Sequence, residues 1–355
     1  MPQATDPIAE GERLMAICNA CRYCEGYCAV FPAMERRLTF NEADMNYLAN
    51  LCHNCAECYY ACQYAPPHEF AVNVPKVFAE IRARSYRKYA WPRFRSVNAA
   101  WAAVAGIVAA ALLAGTRSAG GGNFYGVISH DAMVAAFGVV FAFIIIAHAA
   151  GFLRFWHESG EAMPEMFRPA ALFSALRDIL WLKNLDSNGA GCTYPDAQHS
   201  HARQTFHHLT FYGFLFCTAS TAVAAFYHSF FGWQAPYAYF SAPVVLGTVG
   251  GIGLLAGPPG LYWLKRRRDP AIVDVKQDAM DVSFLALLFL TGLTGLLLLA
   301  MRETGAMGVL LRIHLGVVLG LFLTLPYGKF VHGIYRSAAL LRSALETRLA
   351  ELRQD

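Results

Sequence analysis

The chain has 355 residues, of which 56% are apolar and 15% charged, with a mean hydropathy of +0.34 and a formal net charge of +4. Soluble domains sit nearer 45–50% apolar and about 25% charged, so this balance excludes an ordinary soluble globular chain and points to the membrane. The small net charge gives no case for nucleic acid, and its distribution along the chain says more than its sum. Residues 1–96 carry most of the cysteines and read as soluble, whereas most of 97–335 reads as membrane.

Residues 1–17 predict a lead-in helix around Gly11-Glu12-Arg13-Leu14-Met15. Next comes Cys18-x2-Cys21-x2-Cys24-x3-Cys28, and the same C-x2-C-x2-C-x3-C pattern returns as Cys52-x2-Cys55-x2-Cys58-x3-Cys62. Soft thiolates at this spacing suit [4Fe–4S] clusters: three close cysteines cap one face and the fourth comes from further away. In two-cluster ferredoxins that fourth ligand is exchanged between motifs. Cluster I is therefore expected on Cys18, Cys21, Cys24 and Cys62, and cluster II on Cys52, Cys55, Cys58 and Cys28. Structural zinc favours two C-x2-C pairs across a longer loop. A disulfide framework calls for an oxidising compartment, and no cleavable signal peptide is expected before Cys18. The bacterial ferredoxin pattern also places proline directly after the fourth cysteine; here Ala29 and Gln63 follow, with Pro32 and Pro66 three positions later.

Between the motifs, Asn41 predicts a helix cap with Glu42 and Asp44 in the first turn. After Pro66-Pro67-His68, an amphipathic run spans 74–81. The soluble half closes on Arg82, Arg84, Arg87, Lys88, Arg93 and Arg95 interleaved with Tyr86, Tyr89, Trp91 and Phe94. Basic and aromatic residues directly before an apolar span read as a membrane-interface anchor rather than a nucleic-acid surface.

Six apolar spans follow, at about 97–114, 127–152, 206–229, 240–263, 281–300 and 312–334, each near the length a bilayer core requires. Gly250, Gly251, Gly253, Gly257, Pro258, Pro259 and Gly260 weaken the fourth, unless its small residues serve close packing or a break beside a cofactor. The loop 153–205 carries Arg154, Arg168, Arg177, Lys183 and Arg203; the loop 265–280 carries Lys265, Arg266, Arg267, Arg268 and Lys276. Only Arg117, Arg302 and Arg312 fall on the other side. The positive-inside rule then puts both termini and the clusters in the cytoplasm, on the inner membrane. The long loop predicts an amphipathic surface helix at about 170–182, and its glycine-rich stretch 187–192 is too irregular for a phosphate loop.

Titratable groups inside a bilayer are expensive, and seven histidines fall within the expected spans. His130 and His148 are on the second, His207, His208 and His228 on the third, His314 and His332 on the sixth. A lone histidine there is more often packed and hydrogen-bonded, but seven exceed that reading. Imidazole is a common axial ligand of haem b. His314 and His332, 18 residues apart in one helix, would share a face, five turns or roughly 27 Å from each other, and rank first as ligands. Partners come from helix two by phase or helix three by histidine density. The orientation sets His130, His228 and His314 at one level and His148, His207, His208 and His332 at the other. Arg312 and Lys329 are candidates for haem propionates or for snorkelling to the interface. Cys192, His199 and His201 make a weak further metal set, and mid-helix Cys217 reads as a packed apolar residue.

The run Cys52-His53-Asn54-Cys55-Ala56-Glu57-Cys58-Tyr59-Tyr60-Ala61-Cys62-Gln63-Tyr64-Ala65-Pro66-Pro67-His68, the stretch Phe206-His207-His208-Leu209-Thr210-Phe211-Tyr212-Gly213 and the tail Leu325-Pro326-Tyr327-Gly328-Lys329-Phe330-Val331-His332-Gly333 together resemble the tricarballylate (citrate) utilisation protein B family over nearly the whole chain. The resemblance implies a membrane-bound electron carrier that reoxidises the reduced FAD of a partner tricarballylate dehydrogenase, protein A, and passes electrons to membrane quinone. The membrane half also resembles, in architecture and ligand style, the haem-b subunit of respiratory nitrate reductases. The expected fold is all-α: a two-cluster, bacterial-type ferredoxin-like domain over 1–92, then a six-helix transmembrane bundle over 93–355 with a short cytoplasmic tail. No residue suggests an acid, base or nucleophile for carbon chemistry. Two rivals are a thiol–disulfide enzyme resembling heterodisulfide-reductase membrane subunits and a non-redox tricarboxylate transporter with an iron–sulfur sensor. The first needs more cysteines than Cys192 and Cys217, and the second more intramembrane Arg or Lys.

Overall fold

The computed structural model describes residues 6–93, 122–185 and 191–352, together with Gly106. Every regular element among them is helical, and one isolated bridge joins Cys192 to Ser200. The first expected span, 97–114, and residues 187–190 of the glycine-rich stretch lie outside the described residues.

The cysteine-bearing N-terminal part begins with α1 (Pro7–Cys21), whose proline sits in the first turn where its missing N–H costs nothing, and which ends on Arg22 with φ of 55°. The lead-in helix thus runs on through Cys18 and Cys21. α2 (Val30–Glu35) follows, then α3 (Glu42–Leu51), which starts as a reciprocal cap: Asp44 N–H donates to Asn41 Oδ1 at 2.9 Å and Asn41 N–H donates to Asp44 Oδ2 at 3.3 Å. The short α4 (Glu57–Tyr60) carries Cys58, and α5 (Val74–Tyr89) is capped by Asn73. Leu14 and Met15, Phe31 and Met34, Met45, Leu48 and Leu51, and Phe78 and Ile81 from these helices form one buried core.

A short turn of helix, α6 (Phe124–Val127), precedes α7 (His130–Glu158), capped by Ser129. α8 (Pro169–Trp181) is the expected amphipathic helix. It buries Ala171 and Ala175 against Trp156, Leu341 and Leu345, and leaves Leu172, Phe173, Leu176 and Trp181 exposed on its other side. Then come α9 (Ala202–Phe231), α10 (Ala242–Arg267), α11 (Asp278–Met301), α12 (Met307–Thr324) and α13 (Val331–Glu351). Five of these, α7, α9, α10, α11 and α12, are long and apolar enough to cross a membrane.

The span weakest in sequence, α10, is a continuous helix through Pro258 and Pro259. Its glycines allow close packing on α9: a Cβ on Gly253 would lie 2.8 Å from the Leu209 carbonyl oxygen, and one on Gly250 equally close to the Gly213 carbonyl oxygen. Gly253→Val is therefore expected to destabilise the protein by about 1–3 kcal/mol through overpacking, read as a lower midpoint of thermal unfolding in detergent. An unchanged midpoint would show that the two helices separate without cost.

The sixth span departs from expectation. A single helix over 312–334 is interrupted after Thr324, because Pro326 lacks an N–H and its ring clashes with the preceding turn; turns fill 325–330 before α13 begins. His314 and His332 thus sit on different helices, and the five-turn relation between them does not exist.

The expected short tail is the 21-residue helix α13, and it belongs to the N-terminal core. Val331, Tyr335, Ala338, Ala339 and Leu340 pack into the same cluster as Leu14 and Phe78. Glu346 accepts from Arg37 Nη2 at 2.5 Å and from Tyr47 Oη at 3.1 Å, and the Arg342 guanidinium lies 4.2 Å from the Tyr47 ring centre.

Candidate functional site

The eight thiols of the two motifs gather around two neighbouring cavities. Cys18, Cys21, Cys24 and Cys62 line one cavity of about 290 Å³, together with Cys58, while Cys28, Cys52, Cys55 and Cys58 line a second. Helix α1 supplies Cys18 and Cys21, and α4 places Cys58 between the two cavities. As free thiols Cys18 and Cys24 are pushed up to about 12, first by burial and then by neighbouring thiols, with Cys62 and Cys21 among them. Burial and the thiols of Cys55 and Cys52 likewise push Cys28 and Cys58 well above the ordinary range. A crowded, desolvated set of this kind is neutral by itself and becomes anionic when metal displaces its protons. Among the described residues no three His, Cys, Asp or Glu side chains gather tightly enough for a single ion. A multi-iron cluster is larger than one ion, and thiols spread around a cavity suit it.

The loop between the first two cysteines of the second motif is held from several sides. Asn54 and Ala56 adopt left-handed φ of 55° and 69°, and the Asn54 N–H donates to Cys52 Sγ at 3.3 Å. Three arginines from distant elements bind the loop's carbonyls. Arg203 of α9 donates to Asn54 O at 2.7 Å and His53 O at 2.8 Å, Arg336 of α13 to Cys52 O at 2.6 Å, and Arg82 of α5 to Cys52 O at 3.2 Å. Burial and these three guanidiniums hold His53 well below its usual range. Cys192 is fully buried against the loop, its Sγ 3.6 Å from Cys55 O. A hydrogen bond with Cys55 and the Arg203 charge hold its thiol below the ordinary value against the opposing effect of burial. His199 pairs with Glu57 at 2.9 Å, so Cys192, His199 and His201 do not converge on a metal.

Against this loop lies a cavity of about 440 Å³ between the N-terminal core and the long apolar helices, which we call the inner cavity. His53 and Asn54 form part of its wall, and His207 and His332 line it from α9 and α13. Their ring centroids are 6.3 Å apart with planes at 78°. Two imidazoles on opposite sides of one iron, with metal–nitrogen bonds of about 2 Å and a ring radius of about 1.1 Å, have centroids roughly 6.3 Å apart. His332 Nδ1 faces the Lys329 carbonyl oxygen at 2.5 Å, leaving Nε2 for a ligand, and the buried His207 Nδ1 has no hydrogen-bond partner among the described residues. The residues present therefore fit haem b. Lys329 itself bonds Asp281 at 2.9 Å, and Asp281 also accepts from Lys265 at 2.7 Å.

The other ranked histidines have different surroundings. His130 and His228 stack at 3.6 Å between centroids, which leaves no room for an iron between them. His148 bonds the Ile144 carbonyl oxygen at 3.0 Å through Nδ1, and its buried Nε2 has no hydrogen-bond partner among the described residues. His208 is engaged with Trp181 O at 3.2 Å, tying α9 to the end of α8. His314 Nδ1 lies 2.9 Å from Thr294 Oγ1, in a separate cavity. Sequence reasoning missed Arg82, Arg203, Arg336 and the placement of Cys192. Arg203 alone carried a signal, standing one turn before His207 on the same helix face.

The citrate utilization protein B family model matches residues 96–352, and the model of that family's Fer4-like domain matches residues 11–88. The chain is 52% identical to "Citrate utilization protein B" of Escherichia coli, over 97% of this chain and 94% of that protein. No solved structure matches. From its two halves, an iron–sulfur-type cysteine domain and a set of apolar helices, the chain belongs to the citrate utilization protein B family.

Proposed function

We propose that this chain is a membrane-bound electron carrier that reoxidises the reduced flavin of a partner tricarballylate dehydrogenase and delivers the electrons to quinone, using two [4Fe–4S] clusters and haem b. The observation that carries the reading is the inner cavity, where the Cys52–Cys55 loop and the His207–His332 pair face the same space. When bound, such groups supply one-electron steps, which separates the electron pair of a flavin. The chain's own residues do the rest. Eight cysteines divide between two adjoining cavities, and Cys58 belongs to the walls of both. Arg203, Arg336 and Arg82 fix the loop of the second motif and place positive charge beside it, which favours accepting an electron. The first cavity is lined in part by Tyr23, which is exposed, and that surface suits a soluble flavoprotein. Apolar helices long enough to cross a bilayer suit an acceptor dissolved in lipid.

One rival gains a specific observation: Arg82, Arg203, Lys265 and Arg336 surround the inner cavity, as a tricarboxylate site would require. Three of these are already bonded to loop carbonyls and Lys265 to Asp281, so they are not free to hold three carboxylates. A thiol–disulfide enzyme is disfavoured because Cys192 lies by the cluster loop and Cys217 in another cavity. The test is anaerobic purification in detergent followed by iron and acid-labile sulfide analysis and a reduced-minus-oxidised spectrum. Iron and sulfide for two four-iron clusters, with a haem α-band that bleaches on adding quinone, is the expected result. Protein without iron or sulfide would end this reading.

A further inference from the structure

We propose that quinone binds in a second cavity of about 320 Å³, enclosed by α9, α10, α11 and α12, with His314 as the group that bonds and protonates one of its oxygens. This rests on the reading of the chain as a quinone-reducing carrier. The cavity shares Phe214 with the inner cavity, so one aromatic side chain stands between the two spaces. Its chemistry differs sharply from its neighbour's. Among the described residues the inner cavity is lined by several Arg, Lys and Asp side chains, whereas the lining here is mainly Gly, Leu, Val, Phe, Ser and Thr, with Arg302 and His314 and no Asp, Glu or Lys. An uncharged ring with two carbonyl acceptors needs an apolar pocket of this size with a few well-placed donors.

Two polar side chains stand out in the lining, His314 and Arg302. The Thr294 hydroxyl donates to Leu290 O at 2.7 Å, so it accepts from His314 Nδ1–H at 2.9 Å. That fixes the neutral ring's proton on Nδ1 and leaves Nε2 as the nitrogen that gains and releases a proton. Arg302, 6% exposed, also lines the cavity; its Nη1 donates to Tyr237 O at 2.6 Å, its Nε pairs with Glu303 Oε1 at 3.9 Å, and its guanidinium lies 3.7 Å from the Tyr239 ring centre. Gly295 keeps the His314 face clear, since a Cβ there would lie 3.1 Å from the ring's Cε1. Reduction takes two electrons, delivered singly by the iron centres, and two protons, one to each quinone oxygen. With the ring neutral Nε2 carries no hydrogen, so His314 takes a proton from water there as the quinone oxygen becomes negative and passes it to that oxygen; the second proton also comes from water.

The experiment uses the full chain with its iron centres, reduced with stoichiometric dithionite and mixed with decylubiquinone in a stopped-flow instrument. Wild type, His314→Gln and the cavity-filling Thr248→Phe are compared, with ferricyanide as a second oxidant. The expected result is reoxidation by quinone slowed at least tenfold in both variants, with ferricyanide rates, iron content and haem α-band unchanged. Wild-type quinone rates in both variants would overturn the site, as would loss of haem from His314→Gln, which would make His314 a ligand. If wild type itself is not reoxidised by quinone, the functional reading falls and takes the site with it. Should either variant fail to fold, Cys217, which lines the same cavity, decides the matter in wild type. Decylubiquinone should slow its alkylation by N-ethylmaleimide, and no protection would overturn the proposal.

Discussion

Cys55→Ser is expected to remove one cluster, halving iron–sulfur content, and to lower the rate of quinone reduction by the reduced partner at least a hundredfold. Cys55 is buried at the point where three arginines, Cys192 and Thr193 all meet the cluster loop. A serine hydroxyl at that position is a hard ligand with a high pKa in place of a soft thiolate. The partner's dehydrogenase activity with an artificial dye should remain, since nothing in the carbon chemistry is assigned to this chain. Metal analysis and the two activities, measured side by side, check the expectation. Retention of full iron and sulfide, or loss of the dye-linked activity, would remove Cys55 from the ligand set or give the chain a different role.

His332→Ala and His207→Ala are expected each to abolish the α-band of the same haem b, with iron–sulfur content unchanged. The two rings come from α9 and α13, 6.3 Å between centroids, and if they hold the haem, either loss would remove one of its ligands. Reduced-minus-oxidised spectra of the two variants, with His208→Ala as a control, are the measurement. His208 is tied to the Trp181 carbonyl oxygen, so its replacement should leave the band intact. A band lost in the control and kept in the other two would transfer the ligand role to His208.

Local signals in the sequence were read well where a single residue decides the structure. Asn41 predicts a cap and forms one, because its side chain meets an N–H three residues on, without help from the rest of the chain. The repeated cysteine spacing predicts two groups with exchanged members, and the eight thiols gather around two neighbouring cavities. Periodicity failed at Pro326: apolar composition continues across 325–330, but the backbone cannot, so a phase argument spanning it put His314 and His332 on one face. The His207–His332 pair is among the alternatives the sequence leaves open, with both rings at one level and helix three as a source of partners, and the choice between them needs the fold. The pair exists because α13 folds back onto α3 and α5, a contact between segments almost three hundred residues apart. The same holds for Cys192 and Arg203, whose roles depend on a loop meeting the second motif across nearly 140 residues.

The fold-back of α13 sets an order of events during synthesis. The cysteine-bearing N-terminal part ends at Tyr89, yet Tyr335, Ala338 and Leu340 of its core follow roughly 250 residues later. At about 5–20 residues per second, that separation is a delay of roughly 10–50 s. The core around the thiols therefore closes only once α13 has been made, after the apolar helices that precede it.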